Sequence, residues 1–349
     1  MCRQRLSQCF QSPLYDKMTV DGKQQGALVA WDDFIDSILC VADLMYSETG
    51  FRSYFKQALR ELYEDNVLYV EVRTIMDPML RNNGKHFSRE ETLRMFIKVA
   101  EEFKEENPGF IGAKFIFLTV RSMPKETIES DIRLAMELHK KYPQHLIGYD
   151  LVGYENNGPP LSDLLDILFI PAQSGVNLPF FFHAGETNRF GDTDINILSA
   201  ILLNTTRIGH AFALTKHPDL MKMVKEKDIA IEVNPISNQV LNFVSDMRNH
   251  PGAVFFANGL PVVICSDDPA PWRTSGLSYD YHAAFMAFTK AKDGLEVLKE
   301  MSRAGIKYSA MSRDEKSRAF DIWRHKWDDF INSFSLSGNK DQRLQHEDL

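Results

Sequence analysis

The sequence predicts an α/β protein whose parallel strands curl toward a (β/α)8 barrel. Three observations predict it. Short, near-continuous apolar runs alternate with amphipathic stretches along most of the 349 residues. Such runs fit strands buried on both faces, as in a parallel sheet covered by helices. Polar and titratable residues gather just after the runs, where barrel enzymes place their chemistry.

The elements follow in order. Residues 27–46 and 51–65 have the spacing of amphipathic helices, and Val67–Arg73 alternates as a strand. A helix is expected at about 88–106, a strand at Lys114–Val120 and a helix at about 125–141. Leu146–Val152 is the third strand, followed by a helix near 161–173. Pro179–His183 is the fourth strand, with its helix at about 193–203. Arg207–His210, Ala230–Asn234 and Pro261–Ser266 complete seven, and 280–334 is largely helical. Seven units exceed a small open sheet and fall one short of a closed barrel. The expected domain spans 27–334, with an unplaced segment at 1–26 and a polar, disordered tail at 335–349.

Apolar residues at 44% and charged residues at 25% are normal for a globular protein with a sizeable core. A net charge of -8 argues against nucleic acid, whose partners are usually basic. No apolar run approaches the ~20 residues of a membrane span. Met1–Phe10 has basic residues without an apolar core behind them, so no signal peptide is expected there. Cys2, Cys9, Cys40 and Cys265 lack zinc-finger spacing. Asn204-Thr-Thr206 is a glycosylation sequon, relevant only in a secreted protein. A Walker loop, a nucleophile elbow and a dinucleotide glycine pattern are all absent.

The chemistry concentrates at three strand ends. His183-Ala-Gly-Glu186 places a metal-capable nitrogen and a proton-capable carboxyl at one strand tip. A histidine there is often only a packed residue; the Gly185 spacer and Glu186 favour a site. Catalytic zinc takes nitrogen, sulfur or carboxylate ligands and keeps one position open, and a nearby glutamate can move protons without binding the metal. His210 follows Gly209 at the next strand end. Asp267-Asp268 precede Pro269. Helix capping accounts for one aspartate there, less well for two. Gly153 and Glu155 follow the third strand, where glycine serves a turn or lets a backbone N–H meet a ligand. Trp31 and Phe34, at i and i+3, fit core packing or an apolar lid. Asn234, Ser237 and Asn238 could orient loops. Arg73 and Arg121 at strand ends are too few to argue for a phosphorylated substrate.

The set His183-Ala-Gly-Glu186, Arg207-Ile-Gly-His210 and Ser266-Asp-Asp-Pro269 resembles the adenosine deaminase family in order and spacing. Leu62–Val70, Asn204–His210, Pro235–Leu241 and Gly276–Asp280 resemble its secreted branch, the adenosine deaminase-related growth factors. The resemblance runs from about Trp31 to about Ile331. It implies a barrel of the metal-dependent amidohydrolase kind and a zinc ion, with His183 and Asp267 as ligands. Glu186 matches the residue that protonates the purine N1, and His210 the base that orients the attacking water. Asp268 and Gly153 match contacts to the purine, and Trp31 the aromatic residue at the mouth. The implied reaction converts adenosine or 2′-deoxyadenosine to the inosine product and ammonia. The branch is extracellular and forms homodimers through an N-terminal segment with no counterpart here.

The family's first strand carries a His-x-His pair that supplies two further ligands. This sequence has no His-x-His, and its first histidine is His86. Ala211 stands where the family usually has glycine. The expectation is therefore a barrel without its first strand: a truncated gene model, a short isoform or a degraded copy. Two functions follow, a zinc-dependent deaminase by ancestry or a catalytically inactive nucleoside- or receptor-binding protein with a growth-factor role.

Overall fold

The computed structural model describes residues 27–344 except 192 and 291. The N-terminal segment 1–26 lies outside the described residues. Helix α1 (Ala27–Met45) and helix α2 (Glu48–Glu64) come first, α2 capped by Ser47. Strand β1 (Tyr69–Thr74) leads to α3 (Arg89–Glu106), whose start is fixed by a reciprocal capping box between Ser88 and Glu91. Then come β2 (Gly112–Val120), α4 (Lys125–Lys141) and β3 (Leu146–Val152). Two short helices, α5 (Leu165–Leu168) and α6 (Ile170–Gln173), cross to β4 (His183–Ala184). The second half runs α7 (Asn196–Leu202), β5 (Arg207–His210), α8 (Pro218–Glu226), β6 (Ala230–Val233) and α9 (Pro235–Val240). It ends with α10 (Gly252–Ala257), β7 (Val262–Ile264), α11 (Ser278–Phe288), α12 (Leu295–Tyr308) and α13 (Arg313–Leu344).

The strands pair in parallel in chain order, β1-β2-β3 and β4-β5-β6-β7. A parallel bridge between Tyr149 and Phe180 joins the two groups. The expected fourth strand, Pro179–His183, is thus laddered from Pro179 onward, although its regular part is only His183–Ala184. Beyond Phe181 side chains take the backbone groups: His183 N–H donates to Asp150 Oδ1, and Arg73 and Arg121 donate to the Phe181 and Leu151 carbonyls. Among the described residues no strand covers the outer edge of β1 or of β7. All six residues of β1 are only half-buried, while the first six of β2 are buried. The architecture is the expected (β/α)8-type α/β fold, with seven parallel strands of the ring among the described residues. The chain stays helical through Leu344, where the sequence expectation starts a polar tail at Ser335; no proline interrupts Arg313–Leu344.

Two layers hold the site in place. The main core packs apolar faces of the helices onto the outside of the strands, around residues such as Phe96, Phe103, Phe115, Leu138 and Phe255. A smaller cluster of Phe34, Tyr154, Leu241, Phe243 and Trp272 fastens α1 over the loops at the strands' C-terminal ends. Phe34 is buried, whereas Trp31 is half-buried and stacks on Tyr154 at 5.6 Å.

The inside of the ring is charged. Arg207 Nε donates to Glu232 Oε1 at 2.6 Å and its Nη2 to Glu71. Arg73 Nη2 donates to Glu232 Oε2 at 2.7 Å and its Nε to Asp150 Oδ2 at 2.6 Å. Burial alone would raise the Glu232 carboxyl, but Arg73 and Arg207 outweigh it and hold it at about 2. Arg73 is engaged by Asp150 and Glu232, and Arg121 donates from Nη2 to the Leu151 and His183 carbonyls. Removing one partner from a buried ionic set strands the others. Arg207→Met is expected to lower the unfolding free energy by about 3–5 kcal/mol in urea titration; a loss below about 1 kcal/mol would reject this network as a support of the fold.

Candidate active site

His183 closes β4 with its backbone and ring both tied to Asp150 on β3. Its N–H donates to Asp150 Oδ1 at 2.9 Å, and Nδ1 meets Asp150 Oδ2 at 2.6 Å. Against the penalty of burial, His183 and Arg73 hold the Asp150 carboxyl below its ordinary range. With Nδ1 engaged, the Nε2 of His183 is the nitrogen left for a ligand. The backbone of β5 passes close by, since a Cβ on Gly209 would lie 3.2 Å from the His183 ring.

The next turn carries Glu186. Glu155, after β3, accepts the backbone N–H of Gly185 at 3.1 Å and of Glu186 at 3.0 Å. Asn196 Nδ2 also donates to Glu155, at 2.8 Å. This buried clamp fixes the main chain while leaving the Glu186 side chain free. Glu186 Oε1 is buried without a hydrogen-bond partner, 3.3 Å from His210 Nδ1. Burial, then the charges of Asp267 and Glu155, push its carboxyl well above the ordinary range. It therefore holds its proton to higher pH than an ordinary carboxylate.

His210 and Asp267 sit in left-handed backbone, with φ of 60° and 53°. Ala211 shares that conformation at 46°, so the family's usual glycine has a steric reason. Backbone held in these sparsely populated regions is concentrated at functional sites. Burial lowers the His210 ring to about 4, so it is neutral. Asn234 Nδ2 lies 3.2 Å from each ring nitrogen, and Asn238 Nδ2 lies 3.0 Å from Nδ1. Ser237 Oγ donates to Asp267 Oδ2 at 2.6 Å. Desolvation at the cleft wall and the neighbouring Asp267 charge push the Asp268 carboxyl well up.

His183, His210 and Asp267 each offer a donor atom, and these atoms lie within 4.8 Å of one another. They fit a divalent metal by donor type. The rings of His183 and His210 are 5.0 Å apart. All seven expected site residues, Trp31, Gly153, His183, Glu186, His210, Asp267 and Asp268, line one cavity of about 2430 Å³. The same cavity runs down between β1 and β7, past Val70, Val72 and Val263. Gly153, at φ 103°, supplies the turn out of β3. Sequence reasoning missed Asp150 altogether and gave Glu155 and the Asn234–Asn238 loop no role at the site. Their signal was only a polar residue inside or just past an apolar strand.

A model of the family described as "Adenosine deaminase" matches residues 13–323. The chain belongs to the adenosine deaminase family. It is 46% identical over 304 residues to "Adenosine deaminase 2" of Homo sapiens, a match covering 87% of this chain and 60% of that protein. Adenosine deaminase of Lutzomyia longipalpis is 40% identical over 335 residues, 95% of this chain and 64% of that one. The chain thus spans less than two thirds of the length of these curated relatives. Among solved structures, the N6-methyl-AMP deaminase of Arabidopsis thaliana has a TM-score of 0.69 at 20% identity, covering 86% and 84% of the two chains. An amidohydrolase of Burkholderia ambifaria with bound Zn gives 0.69 at 18%, covering 86% and 80%. These likenesses fix the fold as that of the amidohydrolase barrels.

A raised carboxyl keeps a proton that the unfolded chain releases. Its contribution to stability is full below the unfolded value and is lost as pH rises through the folded one. Glu186→Gln cannot lose that proton. The melting temperature of the variant relative to the wild type is therefore expected to climb as pH rises above about 4.3. A constant difference from pH 4 to 8 would show that Glu186 ionises normally.

Proposed function

We propose that the site carries out hydrolytic deamination of a 6-aminopurine nucleoside, adenosine or 2′-deoxyadenosine, with a zinc ion. The single observation that carries this reading is the buried, unpartnered Glu186 carboxyl 3.3 Å from the buried His210 ring, in one cleft with the His183–Asp267 donors. His183 and Asp267 would hold the zinc, which supplies Lewis acidity and an activated water when bound. Glu186 is placed to give its proton to the ring nitrogen N1 while water adds at C6. Ammonia then leaves and the C6 oxygen remains. His210 orients the attacking oxygen. Asp268 and the Gly153 backbone contact the purine, and Trp31 covers it at the mouth. The domain at 27–334 carries this site, and the branch resemblance supports an extracellular placement. The relatives' names, the shared family and the metal-capable donor set support the reading.

A second reading has one observation in its favour. Among the described residues His183 and Asp267 are the ligands assigned to the metal, two where catalytic zinc usually has three, and no strand closes the wall between β1 and β7. That favours a protein that binds a nucleoside, or a receptor as a growth factor, without turning over substrate.

Adenosine supplied with zinc to the purified chain tests the choice. Inosine formation is expected, and Glu186→Gln should slow it by at least ~100-fold. Folded protein that binds adenosine in calorimetry yet forms no inosine would establish the second reading. His183→Ala is expected to lose zinc by metal analysis after dialysis; unchanged metal content would reject His183 as a ligand.

A further inference from the structure

A buried histidine that the proposed reaction does not use lies one residue away from His210 in space. His250, before α10, is 2% exposed, as is His210, and Asn238 between them is 1% exposed. The three are linked by two hydrogen bonds, and a third anchors the far end. We infer that the chain Gly252–His250–Asn238 fixes the tautomer of His210, placing its proton on Nε2. Asn238 and His250 are then positioning residues for the reaction proposed above, and their functional role rests on that reading.

The assignment starts from an atom that allows no ambiguity. The backbone N–H of Gly252 donates to His250 Nδ1 at 2.9 Å. A backbone N–H can only donate, so Nδ1 is bare and the ring's hydrogen is on Nε2. His250 Nε2 lies 2.9 Å from Asn238 Oδ1 and donates to it. That fixes the Asn238 amide with Nδ2 toward His210 Nδ1, at 3.0 Å. An amide NH2 also only donates, so His210 Nδ1 is bare in turn. His210 must then carry its hydrogen on Nε2, which lies 3.8 Å from Asp267 Oδ2.

Of the other groups around His210, Asn234 Nδ2 lies 3.2 Å from both ring nitrogens and does not select between the tautomers. Glu186 Oε1 at 3.3 Å faces Nδ1 and, as an acid, can donate to it. Rotation of the His250 ring is resisted by Phe288, stacked at 4.9 Å, and by Phe212, edge-on at 5.5 Å. Reversing the relay would turn an amide, change two tautomers and break the Gly252 bond inside a packed region.

The consequence is chemical. His210 offers an N–H, not a lone pair, to whatever oxygen sits beside Asp267. It can hold the attacking oxygen by donation but does not take its proton through Nε2. It is also unsuited to be a third metal ligand, because Nδ1 is occupied and Nε2 is protonated. Asn238 is thereby the residue that separates an orienting histidine from a metal-binding one.

The test needs neither substrate nor metal. Protein labelled with 15N in histidine is examined by long-range 1H–15N correlation, which distinguishes the ring tautomers; His210→Gln and His250→Gln assign the signals. Both rings are expected as the Nε2–H form. Asn238→Asp presents acceptor oxygens at both ends, so His210 should switch to Nδ1–H while His250 stays unchanged. A wild-type His210 in the Nδ1–H form, or no switch in Asn238→Asp, would overturn the inference. If Asn238→Asp does not fold, His250 variants decide. In His250→Gln the amide accepts from Gly252 and donates to Asn238, so His210 should remain Nε2–H. In His250→Leu the fixed order is lost and both tautomers should appear; a pure Nε2–H His210 there would refute the relay. With adenosine and zinc, His250→Leu should lower kcat at least about tenfold with KM little changed, since a wrong tautomer at a catalytic histidine can cost ~10⁴, and His250→Gln should restore it. Correct tautomers without any wild-type turnover would sink the deaminase reading and leave the relay standing.

Discussion

The site hangs on one run of buried charge: Glu71, Arg207, Glu232, Arg73, Asp150 and then the His183 ring. The run crosses the ring of strands from β1 through β5 and β6 to β3 and β4. Each arginine bridges two acids, and each inner acid meets two partners. A net of this kind contributes little stability over an apolar core, because desolvation offsets most of the attraction. What it gives is fixed geometry. Asp150 is held by Arg73 on one side and grips His183 by backbone and ring on the other. The metal-facing nitrogen is thus placed by contacts that reach through the barrel to its far wall.

The same logic repeats at the other strand ends, with weaker parts. Glu155 grips two backbone N–H groups, so the turn bearing Glu186 is rigid while its acid is left without a partner. A buried carboxyl with no partner and two acids nearby is pushed toward its protonated form. His210 is treated oppositely, with donors on its ring and burial keeping it neutral. Acid and imidazole, 3.3 Å apart, are therefore driven to neutral forms by different surroundings. Pairs of groups tuned apart in this way mark an acid–base site.

The candidate site residues were more legible in the sequence than the residues that hold them. His183, Glu186, His210 and Asp267-Asp268 show because each stands just past an apolar run, a position visible in a single sequence. Asp150 does not show. It lies inside an apolar run, and its partners are 33 and 77 residues away. His250 sits in a loop before α10 and gains meaning only through Asn238, itself 28 residues from His210. Strand order and the (β/α)8 class were readable because alternation is local. The brevity of β4 was not, since pairing there depends on where Pro179 meets Tyr149 across the groups.

The open side of the ring bears on the metal more than on the acid and the histidine. Glu186 is clamped by Glu155 from β3, and His210 is ordered by Asn238 and His250 from the region between β6 and β7. None of these contacts comes from the gap between β1 and β7. The gap is lined by Val70, Val72 and Val263, which tolerate loss of a neighbour without leaving a buried charge unpaired. The unpaired backbone at the two edges is a liability for association. It does not loosen the ionic run behind His183. On the proposed reading, a zinc held by His183 and Asp267 has fewer protein ligands than the three usual for catalytic zinc, and among the described residues the side between β1 and β7 is the one that no strand covers. On that reading the strength of metal binding, more than the placement of Glu186, is what separates turnover from binding alone.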